Sequence, residues 1–302
     1  MLLTVGVCTW NRSSLLRQAL ETMTHLVIPQ GVDWELLVVN NNSTDATDKV
    51  IAEFDSRLPI RRLFEPKPGK SNALNLAVRE ACGDYILWTD DDALLDQDWL
   101  AAYVRAIQRW PEAAFFGGPV RPWFAATPPR WLERVWPQVA TAYATRDLGA
   151  EPLPLDGGNR VPYGVNWAIR VKEQKLYEYS SRLGPQPGNH IRGEELTLIV
   201  ALLADGCQGW WVPDAVVQHY IPPERITIRF LRQYYCGYGG WQMIAEPPWK
   251  GPTLFGRPRW LWRQIVTAEL LYRIRRLTSP PEIWIHDLIA ASIAWGRFVK
   301  MK

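Results

Sequence analysis

Gly83-Asp84-Tyr85-Ile86-Leu87-Trp88-Thr89-Asp90-Asp91-Asp92 sets four apolar or aromatic residues between a glycine and three consecutive carboxylates. Tyr85 to Trp88 predicts a short buried strand that runs directly into the acidic triplet. Three like charges in a row repel one another, so the triplet calls for a cation. Hard divalent ions such as Mg²⁺ or Mn²⁺ take oxygen ligands and commonly keep one or two carboxylates together with a substrate's phosphates. In an open α/β sheet, ligands bind at the carboxyl ends of strands, where this triplet falls. The competing reading is a solvated acidic loop that leads into a helix over 98–109, its aspartates near the helix N-terminus.

Upstream, strands are predicted at 2–8, 34–39 and 60–64. Helices follow each: one after the cap residues Asn11-Arg12-Ser13-Ser14, one over 46–54 behind the polar turn Asn40 to Asp45, and one over 71–82. Strands alternating with helices predict an α/β fold with a Rossmann-like, mostly parallel sheet flanked by helices on both faces. Downstream, 119–165 is rich in Pro, Trp and Arg and reads as loops and short elements. A returning strand is predicted at 165–170, a helix over 194–204 with two glutamates in its first turn, and short strand-like pieces at 209–213 and 215–219. From Pro222 the chain turns helical, with Gly237-Tyr238-Gly239-Gly240 as a break and 247–262 as a Pro-, Arg- and Trp-biased linker.

The composition, 47% hydrophobic and 22% charged over 302 residues, is that of a folded protein and excludes a disordered chain. Seventeen tryptophans suit sugar stacking, membrane interfaces and large cores alike. The four cysteines have no CxxC spacing, which fits a reducing cytoplasm and argues against a zinc site. The N-terminus lacks a basic n-region and reads as a first strand, not a signal peptide, and no apolar run approaches bilayer-spanning length. The net charge of +3 conceals an asymmetry: 223–302 carries 13 Lys/Arg against 5 Asp/Glu, while the remainder is mildly acidic. A basic tail on an acidic body suggests that the tail meets something anionic. Nothing calls for a nucleic acid partner.

Pro68-Gly69-Lys70-Ser71 matches the end of a phosphate-binding P-loop, but Phe64 stands where the first glycine is required, which excludes that motif. A cation at a helix N-terminus still suits a diphosphate. Taken in order, Val5-Gly6-Val7-Cys8-Thr9-Trp10-Asn11-Arg12, Val38-Val39-Asn40-Asn41-Asn42-Ser43-Thr44-Asp45, Gly69-Lys70-Ser71-Asn72-Ala73-Leu74-Asn75 and Thr89-Asp90-Asp91-Asp92 resemble the nucleotide-sugar half of the family-two glycosyltransferases, which have the GT-A fold. Gly164-Val165-Asn166-Trp167-Ala168-Ile169-Arg170 resembles that family's acceptor-side strand. Gly193-Glu194-Glu195 resembles its acidic catalytic motif, and His219 follows at about the expected place.

The resemblance covers roughly residues 1–235. It implies a nucleotide-sugar-binding half over 1–118, an acceptor and catalytic half of the same GT-A domain over 119–222, and a helical extension over 223–302. Thr9, Asn11, Arg12, Asn41 and Asp45 would line the nucleoside pocket, with Lys70 and Asn75 near the sugar diphosphate. Asp90 and Asp92 would form the metal motif, with Asp91 between them on the donor side and His219 as a further ligand; the cofactor would be Mg²⁺ or Mn²⁺. Two departures stand out. Asn40 occupies a place where the family often has Asp, which weakens any claim that the base is uracil. Glu195 ends the catalytic motif where Asp is usual; glutamate is one methylene longer and of similar basicity.

The chemistry that follows is transfer of a sugar from a nucleotide-diphosphate donor to a glycan or lipid-linked acceptor. A single carboxylate would deprotonate the incoming hydroxyl, which implies inversion at the anomeric carbon. Glu195 is the expected base and Glu194 the reserve; the competing reading is that both merely favour a helix N-terminus. By itself, His219 reads as a satisfied structural histidine. Trp123, Trp131, Trp136 and Trp167 read either as core or as stacking platforms for the acceptor. Arginines interleaved with Trp and Leu over 257–277 suit either a helix on an anionic membrane surface, placing the protein on the inner face of the membrane in the cytoplasm, or a helical cap with its arginines in solvent. The rival functions are a nucleotidyltransferase, which typically has a Gly-rich basic loop where Thr9 to Arg12 stands, and a non-enzymatic carbohydrate-binding protein, which leaves the acidic residues without a purpose.

Overall fold

In the strand Asp33–Asn40, Leu36 and Val38 belong to one hydrophobic core, and Leu37 and Val39 belong to another. Successive side chains of a strand point to opposite faces, so both faces of this sheet are dry. The strand Tyr85–Asp90 repeats the pattern: Tyr85 and Leu87 face one core, Ile86 and Trp88 the other. That is why these strands read as unbroken apolar runs. The computed structural model describes residues 1–180, 194–245 and 249–300.

In chain order, β1 (Leu2–Thr9), α1 (Ser13–Met23), β2 (Asp33–Asn40), α2 (Thr47–Glu53), β3 (Ile60–Phe64), α3 (Lys70–Glu80) and β4 (Tyr85–Asp90) form the expected alternation. There follow β5 (Ala93–Leu95), α4 (Trp99–Arg109), β6 (Phe115–Gly117), β7 (Val120–Phe124), and two short helices, α5 (Arg130–Arg134) and α6 (Trp136–Val139). The chain continues through β8 (Asn166–Arg170), α7 (Val171–Gln174), α8 (Glu194–Ala204), β9 (Gly209–Trp211) and β10 (Val217–Ile221). It ends in α9 (Ile228–Ala245), the hairpin β11 (Thr253–Leu254) and β12 (Arg257–Pro258), α10 (Arg259–Thr278) and α11 (Pro281–Lys300).

The main sheet has the order β3-β2-β1-β4-β8-β6-β9. β1 is parallel to both β2 and β4, and β8 runs antiparallel between β4 and β6. Helices α1, α2 and α4 contribute to one core, α3 and α8 to the other. Gly6 sits opposite Trp88, and a Cβ there would lie 2.7 Å from the indole, so only glycine leaves room for that ring. The three-residue strand β5, which is not among the predicted strands, pairs with β10 and sets His219 opposite Ala93.

The chain forms two compact units. The first takes in Met1–Trp123 and the described parts of 144–220; the second takes in Phe124–Tyr143 and the described residues from Ile221 onward. The second is helical, as expected, around Leu132, Val139, Tyr143, Leu231, Tyr272, Trp284 and Leu288. The expected break at Gly237-Tyr238-Gly239-Gly240 is absent: α9 runs straight through it. The glycines let two helix backbones touch. A Cβ on Gly239 would lie 2.1 Å from the Ile293 carbonyl oxygen, and one on Gly296 would lie 1.9 Å from that of Cys236.

Glu35 knots the edge of the sheet remote from the acidic triplet. Its Oε1 accepts from Thr4 Oγ1 at 2.7 Å and from the Cys82 N–H at 2.8 Å, and its Oε2 accepts from Arg61 at 2.6 Å. Taking the Cys82 N–H out of the helical ladder also explains why α3 ends at Glu80, short of the expected 82. Burial alone would raise the Glu35 pKa, but Arg61, the Cys82 N–H and Thr4 outweigh it and hold it below the ordinary value. Its contribution to stability is therefore complete above the pKa of an unfolded glutamate, about 4.3, and is lost as pH falls through the lower folded value. Glu35→Gln is expected to cost about 2 kcal/mol at neutral pH and to flatten the acid limb of stability, measured by urea unfolding across pH. An unchanged acid limb counts against Glu35 as its source.

Candidate active site

The carboxyl ends of β1 and β4 lie side by side, with Cys8 opposite Asp90. The acidic triplet is thus delivered next to the loop after β1. It is not a solvated loop: Asp91 is 3% exposed and Asp92 5%. Lys70 serves the first carboxylate, and Arg12 is shared by the other two. Asp90 Oδ1 accepts from Lys70 Nζ at 2.8 Å. Asp91 accepts from Thr9 Oγ1 at 2.7 Å and from Arg12 at 3.0 Å, and the same Arg12 nitrogen donates to Asp92 Oδ2 at 2.8 Å. Asp92 Oδ1 is buried with no hydrogen-bond partner among the described residues, and His219 Nε2 stands 3.5 Å from it. The register of β10 against β5 and the bond from the Tyr220 N–H to the Asp92 carbonyl, 2.9 Å, hold that histidine in place.

Glu195 enters from the first turn of α8. Its Oε1 lies 3.6 Å from Lys70 Nζ, so Lys70 stands between Glu195 and Asp90. Gly164 makes room for the carboxylate, since a Cβ on that glycine would fall 2.0 Å from Glu195 Oε1. Gly193 and the side chain of Glu194 lie outside the described residues.

The electrostatics follow from burial and crowding. Burial alone would raise the pKa of Asp90, yet the Lys70 ammonium outweighs it and keeps the group below the ordinary carboxylate range. Asp91 goes the other way: burial first, then the neighbouring Asp92 charge, pushes it up to about 7 against the pull of Arg12 and Thr9. Arg12 is held protonated by Asp92 and Asp91 in spite of its own burial. Burial likewise drives the Cys8 thiol well above its ordinary value, which removes it as a nucleophile. Four carboxylates against Lys70 and Arg12 leave the cluster short of positive charge.

Thr9, Arg12, Lys70, Asp90, Asp91, Asp92, Glu195 and His219 therefore form one connected cluster. Asn11, Asn41, Asp45 and Asn75 hydrogen-bond within the surrounding loops. Asn11 adopts a left-handed φ of 52° and accepts from the Thr44 N–H at 2.7 Å. Asn41 donates to the carbonyls of Glu65 and Lys67 and accepts from the Gly69 N–H, which fixes the loop that presents Lys70. Asp45 accepts from the Ser13 N–H, capping α1, and from Thr47. Asn75 both donates to and accepts from the Tyr179 backbone. Asn40 is turned into its own loop, donating to Asp48 and accepting from the Ser43 N–H.

Of the tryptophans, Trp167 is core and Trp131 and Trp136 pack within the helical unit. Trp123, half-buried, meets Tyr220 edge-on with ring centroids 5.0 Å apart. Cys8 and Gly164 border the cluster without having been singled out as site residues. Gly164 is a glycine one residue short of a returning strand, and the sequence carries no further signal for what it faces.

Whether the cluster suits a divalent ion can be tested on its own atoms. A buried carboxylate oxygen with no hydrogen-bond partner among the described residues, a facing imidazole nitrogen and an excess of negative charge fit a hard cation. Among the described residues no group of three or more His, Cys, Asp or Glu side chains is placed to hold a metal ion.

The sequence model of glycosyl transferase family 2 matches residues 4–171. Succinoglycan biosynthesis protein ExoM of Rhizobium meliloti (strain 1021) is 23% identical over 246 residues, 80% of this chain and 75% of that protein. Among solved structures, the mannosyltransferase PcManGT from Pyrobaculum calidifontis, in complex with GDP-Man and Mn²⁺, is similar with a TM-score of 0.61 at 19% identity, covering 97% of this chain and 86% of that one. S. aureus TarS is similar with a TM-score of 0.55 at 14% identity; the match covers 91% of this chain and 44% of that one. These likenesses bear out the GT-A fold.

Proposed function

The chain belongs to glycosyl transferase family 2, and from that premise we propose an inverting, metal-dependent transfer of sugar from a nucleotide-diphosphate donor to a glycan or lipid-linked acceptor. The observation that carries this is the convergence of Glu195, Lys70 and Asp90 at the ends of the parallel strands. It puts one carboxylate able to act as base beside a cationic and acidic cluster suited to a diphosphate.

Glu195 takes the proton of the acceptor hydroxyl as its oxygen attacks the anomeric carbon. The bond from that carbon to the phosphate oxygen breaks on the opposite side, and the nucleoside diphosphate leaves with the bonding pair. Lys70, between Asp90 and Glu195, stands where it can meet the departing phosphate charge. Arg12 holds Asp91 and Asp92 in position. Asp92, with Asp90 and His219, would hold the divalent ion, which supplies charge neutralisation for the diphosphate. The Mn²⁺ in the Pyrobaculum complex supports that assignment, and the role of ExoM in succinoglycan biosynthesis supports a glycan acceptor. Trp123, half-buried and edge-on to Tyr220, is a candidate to stack on an acceptor sugar. Peripheral attachment to the inner face of a membrane through the basic helices completes the proposal. Among the described residues no helix is long and apolar enough to cross a membrane.

The test is a donor screen that detects released nucleoside diphosphate with Mg²⁺ or Mn²⁺ present and with chelator added. Metal-dependent release and a product of inverted anomeric configuration are expected. Release that persists undiminished in chelator defeats the metal assignment. Independently, Asp92→Asn is expected to lower donor affinity in Mn²⁺ by about 100-fold, since charge neutralisation of this kind is worth several kcal/mol. Calorimetry reads this directly, and equal donor affinity with and without Mn²⁺ in the unsubstituted protein shows the ligand assignment to be wrong.

A further inference from the structure

Helix α10 is apolar on two sides. Leu261, Ile265, Ala268 and Tyr272 form the buried stripe. Val266, Leu270, Ile274 and Leu277 form a second stripe that is exposed, Leu277 to 88%. On the same outward side, at helical spacing, stand Arg259, Arg263 and Arg273. The hairpin β11–β12 adds Leu254 and Phe255, the latter 86% exposed and held at a left-handed φ of 51°. That conformation is costly for an aromatic residue, yet it turns the ring outward instead of into a core. The Trp262 indole N–H donates to the Leu254 carbonyl at 2.9 Å, which fastens the hairpin to the helix.

The charges on this unit are sorted. The carboxylates of α10 and α11 are each taken by arginine: Glu269 by Arg232 and Arg273, Glu282 by Arg134, and Asp287 by Arg275. Arg259 and Arg263 have no ion-pair partner among the described residues. The outward stripe therefore shows apolar side chains flanked by cations, with no exposed carboxylate between them.

We propose that this face docks onto an anionic phospholipid bilayer. α10 lies in the headgroup plane, Phe255, Leu270 and Leu277 enter the acyl boundary, and Arg259 and Arg263 meet lipid phosphates. A second copy of the chain fits the stripe poorly, because the same face presents it with cations and no free carboxylate to pair with Arg259 and Arg263. The proposal deepens the peripheral attachment named above and does not depend on the transfer chemistry.

The test is co-sedimentation of the full chain with vesicles of phosphatidylcholine, with and without phosphatidylglycerol, over a salt series. Binding that needs the anionic lipid and weakens with salt is expected. Arg259→Gln with Arg263→Gln should weaken it about 30-fold, and Leu270→Ser with Leu277→Ser should weaken it comparably at unchanged thermal stability. Failure of the unsubstituted protein to bind anionic vesicles at low salt overturns the proposal while leaving nucleotide release, and with it the transferase assignment, untouched. Binding that neither double variant weakens moves the docking surface elsewhere. A dimer in solution that Leu270→Ser with Leu277→Ser dissociates assigns the face to self-association instead.

Discussion

Replacing Glu195 by glutamine is expected to leave donor binding in place and to lower kcat by about 10²–10⁴-fold. Glutamine keeps the shape that Gly164 accommodates, so the substitution removes the proton acceptor without refilling the space beside it. Lys70 loses an ionic neighbour 3.6 Å away but keeps Asp90 at 2.8 Å, so the diphosphate side of the cluster stays assembled. KM for the donor should therefore move little while turnover collapses, a split that simple misfolding does not produce. Near-normal turnover in Glu195→Gln, together with collapse in Glu194→Gln, transfers the role to Glu194. An α-linked product from an α-linked donor rules out a single base on the opposite face altogether.

The parts of this molecule legible in the sequence are those whose signal is local. β1, β2 and β4 could be read because both their faces are dry, so each is a continuous apolar run. The triplet Asp90-Asp91-Asp92 could be read because clustered carboxylates at a strand end have few uses. What escaped depends on partners far along the chain. β5 is three residues long and exists only by pairing with Val217–Ile221. Gly237 to Gly240 reads as a helix break in isolation; in the folded chain Gly239 lies against Ile293, and the missing side chain serves helix contact instead. The amides of Asn41 and Asn75 hold the Lys70 loop and the Tyr179 backbone, contacts that no local signal announces. A motif gives position and chemistry, but it does not say whether a polar side chain turns toward a ligand or back toward its own loop.

Asn166 is where that distinction matters most for stability. The resemblance sets its strand on the acceptor side, but the side chain is wholly buried and cannot touch an acceptor. Its Oδ1 accepts from the Trp99 indole N–H and the Tyr103 hydroxyl, both at 2.8 Å, and its Nδ2 donates to the carbonyls of Pro119 at 2.9 Å and Ala215 at 2.6 Å. All four hydrogen-bonding places of the amide are filled. Gly118 packs against it so closely that a Cβ there would lie 2.7 Å from Nδ2. Asn166→Leu keeps the branched side-chain skeleton with bulkier methyl ends; the Pro119 carbonyl retains the Val217 N–H, but two donors and the Ala215 carbonyl are stranded in a dry site, each worth about 1–3 kcal/mol. A loss of about 4 kcal/mol or more is expected, a large part of the roughly 5–15 kcal/mol that holds a typical domain together. Asn166→Asp should fare little better, because it can accept from Trp99 and Tyr103 but offers the two carbonyls no donor and buries a charge among them. The damage should reach the active site as well: Asn166 pairs opposite Thr89, next to Asp90, and Ala215 leads into the strand that carries His219. Urea unfolding of both variants measures the stability loss. A change below about 1 kcal/mol would mean that water or rearranged neighbours satisfy the stranded groups, and that the amide is not the pin joining these strands.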